Sequence, residues 1–500
     1  MDTRAAALQP GQTVALDTVP ELPVEKFRNA LISAVARGCS LCALFATPAP
    51  NDGLQLVAVL AAAKAGHILI ARAPVGAAYP CLTLECPAAN WFEREIAEQW
   101  GVQPQGHPWL KPIRFQRSYR ADVNSKAPLP GVTDYFAIQG AAIHEVAVGP
   151  VHAGIIEPGH FRFQCYGEEV FHLEVALGYQ HRGVEQMLVG GPGKRTLHLV
   201  ETLCGDTTIG HTLAYAEALE ALSGTAISAR AEVLRAIALE LERLANHTGD
   251  LGALAADVGY LPSASYCGRI RGEFLNLTAT LCGNRFGRAM VRPGGVGFDL
   301  GPTQVADFRQ RLKSAFSDLE GAVNLLWDRP SVQARFEDTG VLSRETCVAL
   351  GLVGPAARAC GVERDVRRDF PTGAFRRTAI SASTSPSGDV FARAWVRWLE
   401  IQRSIEFVHD QLSRLPEGEI ASELMALRPG HIATSLVEGW RGEICHVAVT
   451  GSDGRLASYK VVDPSFHNWL GLAIAMRGQQ ISDFPLCNKS FDLSYCGHDL

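Results

Sequence analysis

The apolar period of this chain changes in blocks, and that constrains the fold more than any motif does. From Gly149 to Gly178 short apolar pieces alternate around glycine turns, the pattern of a β meander. Over residues 181–430 the recurrence is helical, and within Ala226–Thr248 the residues Val233, Ile237, Leu241 and Leu244 follow at helical spacing. Strand chemistry returns over Glu443–Pro464, with Asp453-Gly454 as a hairpin turn. Trp469–Gln479 then reads as a final helix before an irregular tail. Strands and helices segregated in this way predict an α+β fold.

Ahead of residue 146 the pattern is more mixed. The sequence predicts a helix over Val24–Gly38, strands over Cys42–Thr47 and His67–Ala73, and an Ala-rich helix over Leu54–Gly66 between them. Tyr79–Gly101 begins as a strand and, from Ala88, carries Trp91, Ile96 and Trp100 on a helix. Residues 116–145 are polar, contain Pro128 and Pro130, and read as a linker. The expected organisation is a small mixed α and β domain over 1–115, a linker over 116–145, and a large, mainly helical domain with short β segments over 146–500.

Composition excludes several functional classes. With 47% apolar and 20% charged residues in 500, the chain has ample mass for a core and is not disordered. The net charge, 46 − 52 = −6, argues against a nucleic-acid surface. The longest apolar run, Gln55–Ala71, is interrupted by Lys64 and His67, and the first residues lack an apolar leader, so the expectation is a cytoplasmic protein. Thirteen cysteines are too sparse for a disulfide scaffold. No P-loop, no G-x-G-x-x-G after a strand and no G-x-S-x-G elbow is present, which removes support for ATP, a Rossmann-bound nicotinamide and serine hydrolysis.

Five constellations carry chemistry. Glu157-Pro158-Gly159-His160 with Arg162, after His152, makes a polar turn suited to relaying protons or holding a polar headgroup, or simply a hydrogen-bonded loop. His181-Arg182-Gly183-Val184-Glu185 places a carboxylate at a helix start, where the dipole alone would favour it. Cys204-Gly205-Asp206-Thr207-Thr208-Ile209-Gly210-His211 sets a thiol and an imidazole seven residues apart; two ligands do not make a metal site, and Asp206 or Thr207 can cap the following helix. Cys39-x-x-Cys42 has no second pair at zinc-ribbon distance. The tail brings Cys487, Cys496 and His498 within twelve residues, without turn spacing between them.

Taken in order, further segments resemble one family. Asn90-Trp91-Phe92-Glu93-Arg94-Glu95, Trp100-Gly101 and Gly106-His107-Pro108 are similar to the smaller of two respiratory complex I subunits that flank the quinone site. Gly149–His152, Glu157–Arg162, His181–Glu185, Glu240–Asp250, Gly283–Arg288, Arg292–Val296, Gly354–Arg367 and Arg441–Glu443 resemble the larger one. The same fused order is that of the large subunit of membrane-bound, energy-converting [NiFe] hydrogenases of the formate-hydrogenlyase type. The resemblance spans nearly the whole chain, and its specificity lies in the ordered series.

A departure from the family is as informative. The resemblance implies four thiolates from two Cys-x-x-Cys pairs, soft donors suited to nickel and iron. Cys204 and His211 are in place, but the second thiol position is Thr207. Matching the family's Asp-Pro to Asp492-Leu493 puts the other two on Ser494 and Gly497, with Cys496 one residue out of register. Cys204 is then a vestigial ligand, and the chain ends at Leu500 with no removable extension. These features argue against a [NiFe] centre, against nickel-based hydrogenase activity, and, with the scattered cysteines, against an iron–sulfur cluster in the chain itself.

The expected role is therefore that of a subunit of a complex-I-like, hydrogenase-related membrane oxidoreductase, peripheral on the cytoplasmic side of the inner membrane. What the resemblance implies as partners are a small [4Fe-4S] subunit, a ferredoxin-like subunit and membrane antiporter-like subunits, in an assembly of quinone and NAD chemistry and proton translocation. Within this chain it implies a redox-linked cavity where the Glu157–His160 turn, Cys204–His211, Arg441 and Asp492 converge. Candidate proton carriers or electrostatic residues are Glu157, His160, Glu185, His211, Arg441 and Asp492, and a quinone would meet His152, His160 and Thr207. The alternatives are an active [NiFe] hydrogenase with an altered ligand set, and a scaffold without redox chemistry.

Overall fold

A computed structural model describes residues 5–49, 53–120, 123, 128–152 and 156–500. The chain is a mixed α and β protein with a small β-rich N-terminal region. That region is a four-stranded antiparallel sheet in the order Ala6–Leu8, His67–Val75, Leu54–Ala62, Ser40–Pro48. The Val24–Ala36 helix buries Phe27, Leu31 and Ala34 in the same core. The Asn90–Trp100 helix follows, and its Glu93 carboxylate accepts from the N–H groups of Leu82 and Thr83.

Leu54–Ala62, expected to be helical, is a strand in the middle of this sheet. Its residues from Gln55 to Ala61 are all buried. A strand covered on both faces reads as a continuous apolar run, so period cannot separate it from a buried helix. Among the described residues of the expected linker, 116–142 hold no helix or strand, and the strand Ile143–Val148 begins inside its far end.

The β meander forms a three-stranded antiparallel sheet of Glu169–Ala176, His160–Tyr166 and Ile143–Val148. A further sheet runs Leu456–Val462, Gly442–Thr450, His431–Gly439 and, from the other end of the chain, Thr13–Ala15, whose Ala15 pairs with His431. The Thr208–Ser223 helix packs on this sheet.

The helical core is organised around Ala229–Asp257, which Ser228 caps by accepting from Ala231 N–H at 3.1 Å. It packs against Leu261–Cys282 and Val390–Ser413. One buried stripe of it is charged: Glu240, Arg243, His247 and Asp250, spaced three, four and three residues apart on one face. The final long helix runs Pro464–Ala475, and the tail is not irregular: it forms the helices Phe484–Phe491 and Tyr495–Asp499. Both are too short to show a helical period in sequence. Asp492 sits between them in the left-handed region, φ 48°, which Asp tolerates better than most residues.

Candidate functional site

Arg441 organises the site. It follows the strand His431–Gly439 at the turn into Gly442–Thr450, where Gly442 and Gly354 approach so closely that a Cβ on Gly354 would lie 2.0 Å from Arg441 O. Its guanidinium lies over the Trp440 ring, 3.8 Å from the centroid. Nη1 and Nη2 donate to the two Asp206 carboxylate oxygens at 2.6 and 2.9 Å, a two-pronged pair. Nη1 also reaches Cys204 Sγ at 3.3 Å and Thr207 Oγ1 at 3.4 Å. Nε donates to the Asp492 carbonyl, and the Asp492 carboxylate lies 4.0 Å from Nη2.

These contacts set the protonation states. Burial alone would raise the Asp206 carboxyl, but Arg441 outweighs it and holds Asp206 at about 2. Asp492 goes the other way. Burial and the Asp250 carboxylate beside it push it well above the usual range, against the pull of Arg441. Asp250 accepts from Arg397 Nε at 2.6 Å and lies 3.8 Å from His247 Nδ1, and His247 Nε2 meets Glu400 at 2.9 Å. A chain of titratable groups thus runs from Asp492 through Asp250 and His247 to Glu400.

The Thr208–Ser223 helix carries the other wall. Neither Asp206 nor Thr207 caps it. Glu242, from the Ala229–Asp257 helix, accepts from Ile209 N–H at 2.7 Å and Gly210 N–H at 3.1 Å, and burial pushes its carboxyl up to about 8. Thr207 Oγ1 accepts instead from Trp440 Nε1 at 3.0 Å. His211, fully buried, links His446 at 3.1 Å to the Asp463 carboxylate at 3.0 Å. The carboxylate also sits beneath Gly497.

The structure therefore brings Cys204, Thr207, Arg441 and Asp492 together, with His211 one helical turn on, its N–H donating to Thr207 O at 3.2 Å. Glu157 joins from the side, its Oε2 accepting from the N–H groups of Tyr495 and Cys496 at 3.1 and 3.4 Å. The other three lie elsewhere. His160 stands against Tyr135, 5.3 Å between ring centroids, and burial lowers its pKa. His152 is exposed, with Nδ1 3.0 Å from Gly149 O. Glu185 accepts from Lys460 at 2.9 Å and Gln99 at 3.2 Å, in a buried cluster where Lys460 and Arg114 also meet Glu95. The expected enclosed cavity is a packed cluster: the void beside Asp206 is only about 10 Å³, and a cavity of about 570 Å³ lies elsewhere, lined by Glu217, Arg235 and Arg428.

Asp206 lies within the Cys204–His211 constellation but reads there only as a helix cap, and Asp250, Trp440 and Asp463 are not legible in the sequence as site residues; only tertiary folding joins the four.

The family's metal centre can be tested against this donor set. Its four positions hold the Cys204 thiol, two hydroxyls already hydrogen-bonded within the protein, and a glycine whose side-chain space Asp463 fills. That set does not fit a four-thiolate centre. Cys487 is buried against Gly340, apart from Cys496, and Cys42 hydrogen-bonds to Ser40 O at 3.7 Å. Among the described residues no three His, Cys, Asp or Glu side chains are grouped to hold a metal ion.

Comparison with known proteins defines the class: a large, fused subunit of the kind shared by membrane hydrogenases and complex I. The family described as respiratory-chain NADH dehydrogenase, 49 Kd subunit, matches residues 257–431, and the 30 Kd subunit family matches residues 26–129. The carbon monoxide-induced hydrogenase of Rhodospirillum rubrum is 31% identical over 350 residues, 70% of this chain and 97% of that one. Formate hydrogenlyase subunit 5 of Escherichia coli (strain K12) is 28% identical, covering 83% of this chain and 76% of that one. NADH-quinone oxidoreductase subunit 4 of Thermus thermophilus is 29% identical, covering 69% and 91%. In fold, the chain is similar to a chain of an archaeal respiratory complex, the membrane-bound sulfane sulfur reductase, with a TM-score of 0.68, 22% identity, and 72% and 99% of the two chains covered.

The chain belongs to this family, with a 30 Kd-type unit fused ahead of a 49 Kd-type, hydrogenase-large-subunit-like unit. It is a subunit of the complex-I-like, hydrogenase-related membrane oxidoreductases. No described helix is long and apolar enough to cross a membrane.

Proposed function

We propose that this chain works as a large subunit without nickel, supplying the proton-handling side of a redox reaction whose electrons arrive through a small [4Fe-4S] subunit. The observation that carries this reading is the opposed pair on Arg441. Asp206 is locked as a carboxylate, while Asp492, on the same guanidinium, is pushed toward its protonated form and touches Asp250. A carboxyl raised in this way keeps a proton that an ordinary carboxylate would release, and the Asp250–His247–Glu400 series is the route inward.

A partner surface closing over the cluster would complete the pocket in which an acceptor such as a quinone is reduced. In this reading the chain sits peripherally on the cytoplasmic face, with antiporter-like membrane subunits and a ferredoxin-like subunit as further partners. Of the expected carriers, Glu157 and His211 fit this role through Cys496 and Asp463. His160, Glu185 and His152 have no contact with Arg441 in their hydrogen bonds.

The test is turnover of the intact assembly. Asp492→Asn and Asp250→Asn should each slow it by about 10²-fold or more and alter its pH profile. Glu185→Gln should leave the pH profile alone. Unchanged turnover in both Asp variants would leave only the scaffold reading.

A further inference from the structure

Two thiols meet beside Arg441. Cys204 comes from the loop before the Thr208–Ser223 helix and Cys496 from the last helix, 496 − 204 = 292 positions later. The Ser494 hydroxyl lies between them, 3.1 Å from Cys204 Sγ and 3.4 Å from Cys496 Sγ. One hydroxyl thus bridges the two sulfurs. Their surroundings differ: Cys204 is 1% exposed, whereas Cys496 is partly open to solvent. Another thiol pair in contact, Cys347 and Cys360, is buried on both sides. The Cys204–Cys496 pair combines contact with an entrance.

We infer that Cys204 and Cys496 form a reversible dithiol–disulfide centre whose reaction partner is a small-molecule disulfide, with Cys496 attacking and Cys204 resolving. This requires neither nickel nor quinone and does not rest on the function proposed above. Cys496 thiolate attacks one sulfur of a disulfide RSSR, forming a Cys496–S–S–R bond and releasing RS⁻. Cys204 then attacks Cys496 Sγ, forming the Cys204–Cys496 bond and releasing the second RS⁻, while the Cys204 proton passes to a released thiolate. Two protein sulfurs are oxidised by two electrons and one RSSR is reduced to RSH and RS⁻, the latter taking from solvent the proton that Cys496 had released; excess RSH drives the reverse.

The division of labour follows from the local chemistry. The hydrogen bond from Cys204 holds the Cys496 thiol below its usual value, against burial. The same bond, then burial, then the Asp206 charge push Cys204 well above. The roles follow from access: Cys496, partly open to solvent, is the sulfur an incoming disulfide can reach, whereas Cys204, 1% exposed, can act only on the mixed disulfide once it has formed.

The test uses the full chain equilibrated in reduced and oxidised glutathione at stepped ratios, acid-quenched, alkylated, and mapped by mass spectrometry without reduction. The expected result is a peptide pair linked through Cys204 and Cys496 that appears as the ratio becomes oxidising and disappears on return to excess reduced glutathione. Cys204→Ser should accumulate glutathione on Cys496 at least about tenfold over wild type, whereas Cys496→Ser should leave Cys204 unmodified. Free alkylated thiols at both positions in the most oxidising buffer, or a lasting glutathione adduct on wild-type Cys496 with no linked pair, would overturn the inference. The wild-type titration decides this even if a variant does not fold.

Discussion

The Asp463 carboxylate occupies the space that a side chain at residue 497 would need: a Cβ added to Gly497 would lie 2.6 Å from Asp463 Cγ. Asp463 is held there by His211 at 3.0 Å and by its cap on Ser465 N–H at 2.8 Å. The position where the family would place its last thiolate is therefore closed by a carboxylate that the rest of the fold uses.

Gly497→Cys should accordingly be destabilising, by about 1–3 kcal/mol, because the new side chain has to displace Asp463 or the last helix. Denaturant unfolding of the purified chain measures it. A variant as stable as wild type would show that Asp463 is free to move aside.

Arg441→Lys should weaken the hold on Asp206, since an ammonium lacks the two-pronged fork. Asp206 lies below its ordinary value, so the stability it contributes is present above the ordinary carboxyl pKa and is lost as pH falls toward 2. In the Lys variant that contribution should be smaller and fully lost at a higher pH, so acid unfolding comes earlier. Acid unfolding followed by circular dichroism checks it, and coincident curves would show that Asp206 does not depend on the guanidinium.

Glu242 has the opposite sign. Its carboxyl is raised to about 8 by burial, so the folded state binds the proton more tightly than the unfolded one. The stabilisation is complete below the ordinary carboxyl pKa of about 4 and is lost as pH rises through about 8. Glu242→Gln should flatten stability over that window and gain a few kcal/mol relative to wild type at its alkaline end. Parallel slopes for the two proteins would contradict the assignment.

Lys460→Met should cost about 3–5 kcal/mol, because it leaves the buried Glu185 carboxylate without a cation and Glu95 with Arg114 alone. Lys489→Met, which breaks the more open pair with Asp257, should cost at most about 1 kcal/mol. Equal losses in the two variants would mean that the buried cluster does not fasten the N-terminal unit to the rest.

The sequence exposes the long helices because their apolar residues repeat over many turns, as Val233, Ile237, Leu241 and Leu244 do. It misleads where period is ambiguous or short: Leu54–Ala62 is buried on both faces, and the last two helices have eight and five residues. The site divides in the same way. Cys204, Thr207, Arg441 and Asp492 are reachable because the family resemblance aligns their segments, and the structure places them on one guanidinium. Asp206 reads in the sequence only as a cap, and that cap belongs to Glu242. Asp463 comes from a segment with no local signal, and Asp250 ends a family-like segment that says nothing of its role, since a lone buried acid is recognisable only by what folds against it. His160 and Glu185 carry the right chemistry, but the strand His160–Tyr166 sets the one against Tyr135 and the helix Val184–Leu188 sets the other against Lys460.

The central claim is that the Arg441 cluster operates without the metal its family relatives would hold. Elemental analysis of the intact assembly, purified under reducing, anaerobic conditions with nickel supplied during growth, tests it most directly. The account predicts nickel far below stoichiometric, with turnover retained. About one nickel per copy of this chain would contradict it, because one thiol, two bonded hydroxyls and a glycine cannot supply four sulfur donors.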